Sequence, residues 1–196
     1  MIPRSVQITI AFLLGTVLLL GIYILHLRHS EEAKTQAVAA ETMAAPQAQG
    51  QWEKIRILVA YDDDQALRWR EEMAFMPTDR APRARAALRA VLSQYVQSPS
   101  PHPLATAADI RDVYLVGQDT LLVDTTAAFA DAHPSGVLTE EMTIISLIET
   151  LSANLPGVNK VKFLVEGKER QTLAGHADLM TFYSTADTHK LARELQ

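Results

Sequence analysis

The sequence predicts an α+β domain that follows a single membrane-spanning helix. Residues 6–25 form an apolar run without a charge, and beyond Trp52 segments of alternating apolar residues are interspersed with two segments of helical apolar spacing. Helices with one apolar stripe need a sheet to cover them. We therefore expect two helices packed on a small mixed or antiparallel sheet, in the order helix-strand-strand-helix-strand, with an N-terminal β-hairpin ahead of them.

The apolar run at residues 6–25 is long enough to span a bilayer. A helix of this length extends about 30 Å, which is the thickness of the hydrocarbon core. A cleaved signal peptide is the alternative, because residues 37–39 (AVA) have the small-x-small pattern of a cleavage site. That site lies well beyond the apolar run and charged residues intervene, so we favour a retained anchor at residues 1–28 and membrane association through residues 6–25.

The orientation of the anchor depends on few charges. Arg4 precedes the apolar run, whereas Arg28 and Lys34 follow it. This distribution is nearly balanced under the positive-inside rule. Because so few residues precede the span, we favour a short cytoplasmic N-terminus and an extracytoplasmic C-terminal domain, either periplasmic or on the outer face of the cytoplasmic membrane.

Residues 29–51 are predicted to be a linker. They begin charged and become rich in Ala and Gln, with few large apolar residues, so no core forms there. The segment contains good helix formers, so it could be a helical stalk that is terminated by Pro46 and Gly50. An extended spacer is the alternative. The α+β domain then occupies residues 52–182, and residues 183–196 form a frayed or short helical tail.

The domain opens with a predicted hairpin. Residues 54–60 and 67–75 alternate apolar and polar side chains on either side of the Asp-rich turn at residues 62–64. The side chains expected on the apolar faces are Ile55, Ile57, Val59, Leu67, Trp69, Met73 and Phe75.

Two helices with apolar stripes follow. The first begins near Arg80, capped by Thr78 or Asp79, and the second is expected to be capped by Thr139 and to end at Pro156. The apolar stripes consist of Ala84, Leu88, Val91 and Tyr95 in the first helix and of Ile144, Ile148, Leu151 and Leu155 in the second. Residues 111–116 and 120–124 form a second hairpin, and residues 160–165 form the last long strand.

Four segments, in order, resemble the GerMN (sporulation and spore germination) family. They are residues 86–92 (AALRAVL), 122–129 (LVDTTAAF), 155–158 (LPGV) and 161–176 (VKFLVEGKERQTLAGH). Glu166 and Thr125 depart mildly from the family pattern, which usually has Asp and Ser there.

The resemblance covers residues 54 to about 178 and has implications for fold and location. It implies an extracytoplasmic module of the cell envelope whose fold is similar to the ring-building motifs of secretion and sporulation machinery. It also implies no catalytic residues, because the family has no accepted ones.

Composition narrows the functional classes. The chain of 196 residues has no cysteine, and its 18 Lys and Arg against 23 Asp and Glu give a net charge of −5. The missing thiols exclude disulfides, thiolate metal sites, cysteine nucleophiles and lipid attachment through a thiol. An acidic protein is not expected to bind nucleic acid.

The acidic candidates for chemistry have structural interpretations. An EF-hand loop starting at Asp62 would need Gly and Glu where Leu67 and Met73 stand, so a solvated turn is favoured over a calcium site. Glu140 and Glu141 are neighbours on different sides of a helix and suit the positive end of its dipole better than an acid/base pair.

The histidines are also interpreted as structural. His176 and Asp178 are too few ligands for zinc, so we expect a positive φ at Gly175 and a hydrogen bond from His176 to backbone. His102 and His133 precede prolines and are expected at the surface. We predict no catalytic residue, no metal ligand and no cofactor.

The first helix carries four arginines on its outer face. They are Arg80, Arg83, Arg85 and Arg89. They serve either solubility and local ion pairs or the docking of an acidic partner or wall polymer.

These observations predict a non-enzymatic, membrane-tethered interaction or scaffold module of the cell envelope. It would act by protein–protein binding and possible homo-oligomerisation, with an envelope protein or a wall polymer as partner. Binding of peptidoglycan or a small ligand is the alternative.

Overall fold

The structure is a computed structural model that describes residues 49–196. The predicted anchor at residues 6–25, and all but the end of the predicted linker, lie outside the described residues. Within residues 49–196, no helix combines the length and the apolar character needed to cross a membrane.

The described chain is a mixed α+β fold with two sheets and four helices. Its elements are β1 (Gly50–Tyr61), β2 (Ala66–Pro77), α1 (Arg80–Val96), β3 (Ile110–Val116), β4 (Thr120–Thr125), α2 (Ala127–Asp131), α3 (Val137–Asn154), β5 (Lys160–Val165), β6 (Tyr183–Ser184) and α4 (Thr185–Glu194). The predicted order helix-strand-strand-helix-strand is present as α1, β3, β4, α3 and β5. α2 and β6 have no counterpart among the elements predicted from the sequence.

The larger sheet is mixed, with strand order β3-β4-β5-β6. β4 pairs antiparallel with β3 and parallel with β5, and β5 pairs antiparallel with the short β6. The alternating side chains Val113, Leu121, Val123, Val161 and Phe163 are buried in one core with the stripes of α1 and α3. The predicted strands at residues 111–116, 120–124 and 160–165 are confirmed to within one residue.

β1 and β2 form a separate antiparallel hairpin. The outer edge of β1 lies against the helices, whose side chains accept hydrogen bonds from its backbone N–H groups. The Thr150 hydroxyl accepts from Leu58 N–H at 2.9 Å, and the Tyr95 hydroxyl accepts from Ala60 N–H at 2.9 Å. Side chains from α3 and α1 thus take the place of a third strand at this edge.

The predicted apolar face of β2 is wrong for Met73 and Phe75. They are 56% and 39% exposed, although Leu67 on the same face is buried. The register places Ile57 opposite Arg70, so the apolar residues Ile55, Ile57 and Val59 share a face with the charged residues of β2 and not with its apolar ones. Near the turn both faces are covered, whereas toward the open end no element among residues 49–196 covers the face with Met73.

The N-terminus of α3 also differs from the expectation. The helix begins at Val137 after Gly136, so Thr139 lies inside the first turn and is not the cap. Asp79 precedes α1 as expected, but its side chain makes no capping hydrogen bond.

The C-terminal segment is helical and packs on the domain. Ala192 of α4 is fully buried, and Leu67 N–H donates to Leu195 C=O at 2.8 Å. Ala192 belongs to the same hydrophobic core as the helices and the sheets.

Candidate functional site

A buried carboxylate organises the corner formed by residues 174–177. Glu140, in the first turn of α3, is fully buried. Its Oε2 accepts hydrogen bonds from the backbone N–H groups of Ala174, His176 and Ala177 at 3.0, 2.9 and 2.9 Å. Its Oε1 accepts from Gly136 N–H at 3.3 Å. Glu140 therefore fastens a segment more than thirty residues away to the start of α3.

The hydrogen bonds decide the charge state of Glu140. Burial raises the pKa of this carboxyl, but the His176 ring and the three backbone N–H groups of the corner outweigh burial and hold the pKa at about 2. The side chain is therefore ionised at neutral pH. The assignment of Glu140 to the helix dipole missed this role, because its hydrogen-bond donors are remote in sequence.

His176 is oriented by the same carboxylate. Its Nδ1 lies 2.9 Å from Glu140 Oε1. Because an ionised carboxylate only accepts, Nδ1 carries the proton and donates, and in the neutral ring Nε2 is left as an acceptor. The predicted hydrogen bond from this side chain to backbone is wrong. The side chain is 43% exposed, so its free nitrogen is available to a binding partner.

Gly175 has φ +126°, which confirms the predicted positive φ. A Cβ at this position would have room, since its nearest neighbour is Ser135 Oγ at 3.7 Å, but the backbone conformation strains any L side chain.

We therefore expect Gly175→Ala to lower the free energy of unfolding by about 1–3 kcal/mol through backbone strain. Chemical denaturation of residues 49–196 measures this change. A cost near zero would show that the corner relaxes to another conformation.

A pocket of about 230 Å³ lies beside this corner, between α3 and α4. Its wall is mostly apolar and is formed by Val137, Glu141, Ile144, Ile145, His176, Ala177, Tyr183, Thr188 and Leu191. Val137 and Leu191 are 64% and 42% exposed, so apolar surface continues out of the pocket.

The hydroxyl groups of the pocket are already engaged. Tyr183 OH donates to Asp178 C=O at 2.7 Å, and Thr188 Oγ1 donates to Ser184 C=O at 2.9 Å. Burial, together with nearby Asp178, Glu141 and Glu140, raises the pKa of Tyr183 to about 12. The polar groups left to meet a ligand are His176 Nε2 and the Glu141 carboxylate. This set suits recognition, since it contains no nucleophile paired with a base.

A second polar cluster contains His102 and His133. Their predicted position at the surface is wrong, because both are buried. Their Nε2 atoms lie 2.6 and 2.8 Å from the hydroxyl of Thr143, and His102 Nδ1 lies 2.5 Å from Asp62 Oδ1. Burial and the neighbouring His102 lower the pKa of His133. Asp62 therefore anchors a histidine in addition to forming the turn.

The sequence Asp62–His102–Thr143 has the order of a catalytic triad, but its position excludes that role. Thr143 is fully buried, and its hydroxyl donates to Thr139 C=O at 3.1 Å within α3. A substrate cannot reach this oxygen without unfolding the helix. The cluster is buried and structural, and it connects α3 to the β1–β2 turn and to the loop that follows α1.

The arginines of α1 bind within the fold. Arg83 contacts both carboxylate oxygens of Glu53, at 3.1 and 2.6 Å, and Arg80 donates to Gln118 C=O and Pro156 C=O. Arg85 donates to Ile110 C=O, and Arg89 pairs with Asp109. These contacts favour the structural interpretation of the four arginines. A groove of about 610 Å³ runs beside Arg89, Ser93, Asp109 and Thr126.

The comparisons with known proteins concern the family and the fold. The family described as "Sporulation and spore germination" matches residues 58–171. A putative lipoprotein from Clostridium perfringens is 15% identical, with 70% of this chain and 89% of that chain covered and a TM-score of 0.43. The tandem GerMN domains of the sporulation protein GerM from Bacillus subtilis are 14% identical, with 70% and 48% covered and a TM-score of 0.49. No curated protein matches the chain.

Proposed function

Because this chain belongs to the sporulation and spore germination (GerMN) family, we propose that it is a non-enzymatic interaction module of the cell envelope. The apolar run at residues 6–25 would tether it to the membrane, with the domain on the extracytoplasmic side. Tethering raises the effective concentration of membrane-bound partners, so a modest surface suffices for binding.

The observation that carries the proposal is the pocket between α3, α4 and the Gly175–His176 corner. Its volume of about 230 Å³ is below the roughly 300 Å³ at which pockets for drug-sized ligands begin. Such a pocket fits one large apolar side chain, and a buried apolar anchor is a common centre of protein–protein interfaces. The occupant is therefore an aliphatic or aromatic side chain of another envelope protein.

The rim of the pocket adds a charge requirement. Glu141 offers a carboxylate, and His176 Nε2 offers an acceptor in the neutral ring. A partner that places a Lys, Arg or amide donor beside its apolar anchor would complement both groups. Self-association of the tethered chain is a further part of the proposal.

The pocket proposal predicts a selective loss of binding. Leu191→Asp places a carboxylate at the rim and should lower partner recovery from solubilised native membranes at least tenfold, because the apolar anchor would meet a charge. The full chain and this variant are compared by quantitative co-purification, with thermal melting as the folding control.

Lys190→Asp is the matched control. It introduces the same side chain one residue away on α4, where Lys190 is mostly exposed and does not line the pocket. Equal recovery with both variants would refute the role of the pocket.

Peptidoglycan binding is the second candidate function. The groove beside Arg89 supports it, because hydroxyl, carboxylate and guanidinium groups converge there. Co-sedimentation with purified cell wall, reduced in Arg89→Ala and unchanged in Leu191→Asp, would favour this candidate over the pocket.

A further inference from the structure

The outer edge of β2 pairs with no other strand in the part of the chain that the structure describes. Trp69 and Glu71 lie opposite Leu58 and Arg56 of β1, whose N–H groups point away from the hairpin toward α3. In an antiparallel pair, the backbone groups of two opposite residues point either both toward the partner strand or both away from it. The N–H and C=O groups of Trp69, Glu71 and Met73 therefore also point away from the hairpin.

Only the start of this edge is covered within residues 49–196. Leu67 N–H donates to Leu195 C=O, and beyond Leu67 no backbone hydrogen bond reaches the edge from another described residue. The side chains of Arg70, Glu71 and Met73 are exposed along it. An open edge of this length is a template for strand addition.

We propose that β2 pairs antiparallel with β2 of a second copy of this chain, about a two-fold axis through Glu71. Trp69, Glu71 and Met73 would exchange backbone hydrogen bonds with Met73, Glu71 and Trp69 of the other copy, and the two hairpins would become one four-stranded sheet. The inference rests on the self-association part of the proposed function and is independent of the pocket.

The charges on β2 favour this position of the two-fold axis over the neighbouring positions. It sets Arg70 opposite Glu72 of the other copy twice, in the non-hydrogen-bonded pairs where side chains approach most closely. It also sets Trp69 against Met73, a favourable sulfur–aromatic contact. A shift of the axis by one residue sets either Arg70 against Arg70 or Glu72 against Glu72, and these like-charge pairs are destabilising.

Two observations within one copy fit this arrangement. Glu72 is half-buried, and its carboxylate accepts from the neutral Gln94 amide at 3.2 Å. Burial raises its pKa and nearby Arg70 lowers it, but no cation among residues 49–196 forms an ion pair with it. On the axis, Glu71 lies opposite Glu71 of the other copy. Each Glu71 is neutralised by Lys54 of its own copy, whose Nζ lies 2.9 Å from Glu71 Oε2. The central repulsion is therefore reduced.

The absence of cysteine makes a disulfide test specific. In the proposed dimer, only residue 71 lies opposite itself. Purified full chain with Glu71→Cys should form a disulfide dimer under mild oxidation. Met73→Cys is the matched control on the same face, because its two copies would be roughly 13 Å apart, beyond the reach of a disulfide.

Charge exchange supplies the second test. Arg70→Glu or Glu72→Arg should each lower crosslinking of the Glu71→Cys chain at least fivefold, and the two together should restore it. Equal crosslinking of Glu71→Cys and Met73→Cys, no disulfide dimer of Glu71→Cys, or no rescue by the double exchange would overturn the proposal. Leu191→Asp should leave crosslinking unchanged, so failure of the pocket and failure of the dimer are distinguishable.

Discussion

Glu140→Gln is expected to lower the free energy of unfolding by about 3 kcal/mol at neutral pH. The fully buried carboxylate accepts from four backbone N–H groups and from the His176 ring. An amide of the same shape loses the charge and turns an NH₂ group toward some of these donors, which leaves buried groups unpaired. Chemical denaturation of residues 49–196 measures the loss.

The same contact predicts an acid-labile contribution to stability. The pKa of Glu140 is about 2, below its ordinary value of 4.5. A carboxyl with a depressed pKa stabilises the fold above its unfolded pKa and loses this contribution as the pH falls toward its folded pKa. Wild-type protein should therefore lose about 3 kcal/mol between pH 5 and pH 2 from this group, whereas Glu140→Gln should show a correspondingly flatter dependence.

Glu141→Gln is the control for both measurements. Glu141 is the next residue on α3, lies at the rim of the pocket and is only partly buried, so its substitution should cost under about 0.5 kcal/mol. If Glu140→Gln were as mild as Glu141→Gln, Glu140 would not be what holds residues 174–177 against α3.

Thr143→Val is expected to cost about 2–3 kcal/mol. The substitution keeps the shape of the side chain but removes the hydroxyl that meets the Nε2 atoms of His102 and His133. The hydroxyl has a single proton and donates to one acceptor at a time, but it lies 2.6 and 2.8 Å from the two buried nitrogens, and Val would leave both without this polar neighbour and without water. Chemical denaturation at pH 7 gives the magnitude.

Thr150→Val provides the comparison within the same helix. Thr150 is equally buried, but its hydroxyl serves a single backbone donor, Leu58 N–H. Its loss should cost about 1 kcal/mol, less than that of Thr143. An equal or larger cost at Thr150 would contradict the view that Thr143 holds two histidines in place.

Local sequence patterns predicted the elements that depend on neighbouring residues. Tyr95 and Leu88 were placed on the buried stripe of α1, and Val123 and Phe163 on the buried face of the sheet, because helical and strand periodicity is set by the chain itself. The positive φ at Gly175 was predictable for the same reason, since a corner in this segment requires it.

The polar contacts could not be predicted, because each joins residues distant in sequence. Glu140 meets His176 from another element, and Thr143 meets His102 and His133 only after three segments have packed together. The exposure of Met73 likewise depends on the register of the hairpin and on which layers cover it, and neither is encoded in the alternation of β2 alone.

The most direct test of the binding account places a photo-reactive amino acid at Leu191 of the full chain in native membranes, with the same residue at Lys190 as control. The account predicts that light crosslinks the Leu191 position to one envelope protein and that the Lys190 position gives little of this adduct. No adduct at Leu191, or the same adducts in equal yield at both positions, would contradict a binding role for the pocket beside the Gly175–His176 corner.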